Sequence, residues 1–151
     1  MTIPTRIPMM REQGYHTDSI GRYTGGQFMG FVTATLSIPL PPDWQKSKRW
    51  YAVLHRFDHD GNHLGTDAWF AGVTADGEAV VVKKAQDRLN EMIHSLGGHE
   101  FCDVMVKLFS VEIDGHTFGL VDASEPDDYE GVELLPNDLA FYDPWDGSYD
   151  T

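Results

Sequence analysis

The chain holds a single cysteine, Cys102, in 151 residues. An internal disulfide is excluded, and cysteine usage gives no sign of an oxidising compartment. No run approaches the roughly 20 apolar residues that span a bilayer. The first eight residues, Met1 to Pro8, lack the continuous apolar core of a signal peptide, and their two prolines predict an extended lead-in. A cytoplasmic protein with no membrane contact is therefore expected. Catalytic signatures are missing too: there is no Gly-x-x-x-x-Gly-Lys-Ser/Thr, no Gly-x-Ser-x-Gly and no His-Glu-x-x-His. The four glycines from Gly21 to Gly30 do not follow a phosphate-binding pattern. No enzyme class gains support, and no cofactor is expected.

Positive charge is absent from the last part of the chain. After Lys107 there is no lysine or arginine, while Glu112, Asp114, Asp122, Glu125, Asp127, Asp128, Glu130, Glu133, Asp138, Asp143, Asp146 and Asp150 follow. The formal net charge of −13 favours solubility and a monomer or small homo-oligomer. It opposes binding to duplex nucleic acid, whose phosphates dominate such affinity, and to anionic lipid. The natural counterpart of the acidic block is a basic protein, a metal ion or solvent.

What is present suits one folded domain over residues 1–151, because a chain of this length buries a proper core unaided. Strand patterns dominate. Asp18–Tyr23 and Gln27–Ile38 flank a Gly-bearing link, Thr24-Gly25-Gly26, that predicts a hairpin. Pro39 to Arg49 reads as a long loop carrying Lys46, Lys48 and Arg49. Trp50–Phe57 is apolar on both faces, the mark of a central strand, and Asp58–Asn62 turns it into a strand from His63 to Ala71. Ala85, Leu89, Met92, Ile93 and Leu96 form one apolar stripe, predicting a helix from about Asp76 to Leu96 with Gly97-Gly98 as its stop. Phe101–Ile113 and His116–Ala123 flank Asp114-Gly115, the strongest short hairpin signal in the chain. Short strands are expected near Val132–Leu135 and Leu139–Tyr142. The expected fold is α+β: an antiparallel sheet of about six to eight strands with one main helix packed on one face.

Three candidate sites emerge. His55, His59 and His63 are spaced by four, a good zinc arrangement on a helix. The turn at Asp60-Gly61-Asn62 argues against a helix but leaves His55 and His63 able to face each other across a hairpin. A calcium loop starting at Asp58 fails, since its sixth and twelfth positions are His63 and Trp69 rather than glycine and a carboxylate. Cys102, ahead of Val104, Val106 and Leu108, is expected to be a buried, inert strand cysteine. The segment 124–151 interleaves Phe141, Tyr142, Trp145 and Tyr149 with carboxylates. Either its aromatics dock on the sheet, or they anchor a partner that the acids attract. On the second reading the partner-binding residues are Asp127, Asp128, Glu130, Trp145 and Tyr149.

Trp50-Tyr51-Ala52-Val53-Leu54-His55-Arg56-Phe57-Asp58, Asp67-Ala68-Trp69-Phe70-Ala71-Gly72 and Tyr142 to Thr151 resemble small actinobacterial proteins labelled "formate hydrogenlyase regulatory protein". The resemblance spans most of the chain and gives a family name, and its motifs bring no chemical role to any residue. Sequence alone thus leads to a non-enzymatic regulatory or binding protein, immunity-type or inhibitor-like, that meets a basic partner through its acidic aromatic C-terminal surface. The alternative is a small metal-dependent protein or enzyme using His55, His59 and His63.

Overall fold

The computed structural model of the protein describes residues 3–127 and 129–151. Its architecture is α+β, built on antiparallel pairing. The lead-in is not merely extended: Ile7–Met9 forms a strand, β1. The glycine link closes a hairpin between β2 (Ile20–Tyr23) and β3 (Gly26–Thr35), with Tyr23 opposite Gly26. The proline-rich stretch that follows cannot continue the ladder. Within it lies one helical turn, α1 (Trp44–Ser47), where the sequence pattern gives only loop. β4 (Arg49–Phe57) then pairs with both β3 and β5 (His63–Val73). Its central place is what two apolar faces predict.

After a 3₁₀ turn at Thr74–Asp76, helix α2 runs over Glu78–His94. The β-branched run Val80, Val81 and Val82 is helical, and Val81 joins the buried stripe with Ala85, Leu89 and Ile93. This stripe packs on Phe28, Ala52, Leu54 and Ala71 of the sheet. Each such fully buried large side chain contributes about 1.5–3 kcal/mol. Gly30 permits the close approach, since a Cβ there would stand 2.8 Å from Leu89 Cδ1.

The largest departure from expectation lies after the helix. The segment read as one strand, Phe101–Ile113, divides into β6 (Glu100–Phe101), β7 (Val104–Val106) and β8 (Phe109–Ile113). Each piece joins a different sheet. At the two breaks the backbone bonds elsewhere: Cys102 N–H donates to the Ile20 carbonyl at 3.2 Å, and Lys107 N–H to the Gly61 carbonyl at 2.9 Å. β8 turns through Asp114 (φ 51°) and Gly115 (φ 83°), the double left-handed turn expected of that pair, into β9 (His116–Asp122). β10 (Gly131–Leu135) and β11 (Leu139–Tyr142) complete the chain's regular structure.

The strands therefore form three sheets and not one. A five-stranded sheet has the order β5-β4-β3-β2-β6, a four-stranded sheet β11-β10-β9-β8, and β1 pairs with β7 alone. α2 covers one face of the five-stranded sheet. Met29, Phe31 and Phe57 on its other face meet Leu120, Val132, Leu134, Leu139 and Phe141 of the four-stranded sheet, with Ile7, Met9, Val104 and Val106 of the small sheet in the same core. One end of the sandwich is pinned by polar contacts. Arg49 Nε donates to Tyr51 Oη at 2.8 Å, Tyr51 Oη donates to Asp114 Oδ2 at 2.7 Å, and the Arg49 guanidinium lies 3.9 Å from the Phe70 ring centre. Among the described residues no helix is long and apolar enough to cross a membrane.

Candidate functional site

Half of the four-stranded sheet comes from the acidic segment itself. Val132, Leu134, Leu139 and Phe141 are fully buried, so alternation along β10 and β11 turns Glu133 and Tyr142 away from the core. At the end of β9, Asp122 accepts the Ser124 N–H at 2.9 Å, and the Ser124 hydroxyl, followed by this N–H, holds its carboxyl below the usual range. The chain then loops out and returns, closed by paired backbone bonds between Glu125 and Tyr129 of 2.7 and 3.2 Å. Asp127 within the loop takes a left-handed backbone, φ 65°, which aspartate tolerates better than most residues.

This loop borders an open cleft of about 660 Å³ lined by Ile3, Asp122, Ser124, Glu125, Pro126, Asp127, Tyr129 and Glu130. Four carboxylates line it, and among the described residues no lysine or arginine does. Tyr129 packs edge-on against Tyr142, ring centres 6.0 Å apart, and Tyr142 Oη donates to Asp150 Oδ2 at 2.6 Å. That bond to a carboxylate raises the Tyr142 pKa, while burial, with Glu133 and Asp150 nearby, raises that of Tyr129. Both phenols accordingly stay protonated and can donate.

Of the partner-binding residues expected from sequence, Asp127 and Glu130 line the cleft. Asp128 lies outside the described residues. Trp145 and Tyr149 are half-buried and pack against the sandwich core. Tyr149 stacks at 5.9 Å from Phe141 and 6.1 Å from His16. The tail is held by backbone bonds as well: Ala140 and Asp150 exchange N–H···O bonds of 2.8 and 2.9 Å, and Met10 N–H donates to Gly147 O at 2.9 Å. Docking, one of the two alternatives, is thus the position these two aromatics occupy. The aromatics beside the acids are Tyr129 and Tyr142, which the sequence reading did not select. The strand alternation of Leu139–Tyr142 was the signal that could have turned Tyr142 outward.

The histidines separate into a pair and an outlier. His55, on the inner face of β4, is 1% exposed, and its Nδ1 lies 2.7 Å from Thr66 Oγ1. His63 Nε2 lies 2.8 Å from the same hydroxyl. Thr66 therefore links a buried imidazole to a half-buried one. Phe109 of β8 closes the cluster, stacked on His63 at 4.6 Å and edge-on to His55 at 4.8 Å. Burial, then the neighbouring His63, pushes the His55 pKa down to about 3. Burial also lowers that of His63, with Arg56 adding to the effect. His59 sits apart, at a cleft with Met10, Arg22, Asp103 and Asp146. Among the described residues no three His, Cys, Asp or Glu side chains are grouped to hold a metal ion.

Cys102 departs from expectation. It lies between β6 and β7 rather than in a strand, it is half-exposed, and its Sγ accepts a hydrogen bond from Arg22 Nε at 3.4 Å. The break that sends β6 and β7 to different sheets is what lifts it out of the core. No protein-family profile, no curated protein and no solved structure matches this chain.

Proposed function

We propose that this is a non-enzymatic binding protein, of the immunity or inhibitor kind, that receives a basic protein segment in the cleft beside the 124–130 loop. The observation that carries the reading is the convergence of Asp122, Glu125, Asp127 and Glu130 on one open cleft. Carboxylates in a chain of net charge −13 draw a cationic partner from a distance and discourage anionic ones. Tyr129 and Tyr142 beside them add flat apolar area, the usual anchor of an interface, and the protonated Tyr129 hydroxyl adds a donor. Of the basic loop, Lys48 pairs with Glu78 at 3.9 Å and Arg49 with Asp114 at 3.4 Å, which leaves little concentrated charge for duplex DNA. The resemblance to regulatory proteins is compatible with this class and assigns it no residue.

A lysine- and arginine-rich peptide titrated against the intact protein tests the reading. Affinity should fall steeply between low and physiological salt, since exposed charges are screened beyond about 8 Å there. Asp127→Asn with Glu130→Gln should slow association more than it speeds dissociation. Binding that ignores both salt and these amides would defeat the proposal.

A further inference from the structure

The three sheets treat their edges differently. The β2 edge of the five-stranded sheet is partly covered by β6, through Gly21–Phe101 and Arg22–Glu100. The β11 edge of the four-stranded sheet is bonded to the tail at Asp150. The other outer strand of the five-stranded sheet, β5, pairs only with β4. It is eleven residues long, His-Leu-Gly-Thr-Asp-Ala-Trp-Phe-Ala-Gly-Val, with no proline, no lysine and one acid, Asp67. Leu64 and Phe70 on it are 54% and 41% exposed. Proteins blunt such edges with charge, proline, bulges or cover because an open ladder recruits another strand; β5 pairs irregularly with β4 at Leu64 and Ala71, and regularly from Gly65 to Phe70 between them.

We propose that the outer edge of β5 is a self-association surface. There a second copy of this chain pairs antiparallel, and the sheet continues across a twofold axis. Two observations select a second copy as the occupant. First, the groove flanking the edge, about 490 Å³, is lined by Asp67, Ala68 and Trp69 of β5 and by Arg88, Glu91 and Met92 of α2, with Ser95 at its end. Arg88 Nη1 and Glu91 Oε2 are 3.6 Å apart and one turn apart on the helix, and Arg88 lies over the Trp69 ring at 5.5 Å. A twofold axis at the level of Trp69 sets Arg88 opposite Glu91 of the second copy, and Glu91 opposite its Arg88. One pair is thereby used twice, the self-complementarity a twofold interface requires. α2 packs mainly over β4, so the two helices would stand three strand spacings apart, about 14 Å. Long Arg and Glu side chains reach across that gap, and the Trp69 and Met92 side chains fill it.

Second, the edge carries one acid in eleven residues of a strongly acidic chain. β8 is the strand of the four-stranded sheet that lies beside β5, while β10 and β11 are the far ones. Pairing through β5 therefore holds the two acidic C-terminal segments away from each other. The inference stands independently of the acidic cleft, which the dimer would leave open.

Sedimentation velocity on the full chain at physiological salt tests it, from low concentration up to about 200 μM, where a weak dimer is driven together by mass action. The expected result is a species of twice the 17.0 kDa chain mass. Arg88→Glu should weaken it by about tenfold or more, because symmetry counts the reversal twice, and Glu91→Arg should do the same. The double variant R88E/E91R should restore the wild-type constant. Hydrogen exchange across 63–73 should slow as concentration rises. A single-chain mass at the highest concentration would overturn the proposal. So would a dimer that ignores both single reversals, or one that leaves exchange across 63–73 unchanged.

Discussion

Lowering the pH from 7 to 4 should cost this fold about 3 kcal/mol through one side chain. His55 is sealed between the two larger sheets, against Thr66, Phe31 and Phe109. Its pKa stands at about 3 instead of the ordinary 6.5. The native state therefore binds fewer protons than the unfolded chain at any pH between these values. The stability it contributes is full above 6.5 and is lost as pH falls toward the native value. At about 1.4 kcal/mol per unit, the loss reaches roughly 2 kcal/mol at pH 5 and 3 kcal/mol at pH 4. Against the 5–15 kcal/mol typical of a domain, roughly, that is a large fraction. Urea melts at pH 7, 6, 5 and 4 on the wild type and on His55→Gln measure it. The amide can still bond to Thr66 but does not titrate, and the many carboxylates titrate alike in both proteins. The variant should be less stable at pH 7, and the gap should narrow by about 3 kcal/mol at pH 4. Parallel curves for the two proteins would refute the burial argument. His63, whose pKa burial also lowers, adds a smaller loss of the same sign, common to both proteins.

Four further outcomes are expected. Leu89→Ala should cost about 2–5 kcal/mol, because it empties a site between α2 and β3. Asp87→Ala, which removes only an exposed pair with Lys83, should cost under about 0.5 kcal/mol in the same urea melts. Trp145→Ala should destabilise by about 1–3 kcal/mol, less than a fully buried tryptophan, and should speed hydrogen exchange at Ala140 and Asp150, since the ring holds the tail against the core. Unchanged exchange there would mean that the backbone bonds hold the tail alone. Cys102 should react with a thiol reagent in the native protein without prior unfolding, its sulfur being half-exposed beside Arg22. Labelling that tracks the unfolding rate would contradict this placement.

Local signals were legible wherever a short-range rule acts alone. The hairpins at Thr24-Gly25 and Asp114-Gly115 form with the register their turns require. The helical stripe from Ala85 to Ile93 is the buried one. The two apolar faces of Trp50–Phe57 made β4 central. That Phe101–Ile113 serves three sheets was hard to read, because the apolar alternation runs through the first break as Cys102, Val104, Val106 and Leu108, and only the slip to Phe109, Val111 and Ile113 marks the second. What ends the strand at Cys102 and Lys107 is the position of Ile20 and Gly61 carbonyls distant in sequence. The candidate sites divide along the same line. Asp127 and Glu130 were readable as part of an acidic loop, but the cleft also needed Ile3 and Asp122 from elsewhere in the chain.

The sequence by itself determined the α+β class, the hairpins, the main helix and the acidic C-terminal third. Composition, period and turn chemistry depend only on neighbouring residues. Tertiary structure alone decided which of two equal-looking histidines is sealed from water and which aromatics of the tail dock. It also decided which edge strand stays open. Those outcomes depend on what packs from across the fold. His55 is buried because β8 brings Phe109 to it, Trp145 is occupied because β11 offers it a core, and the outer edge of β5 stays open because no later described strand returns to its side.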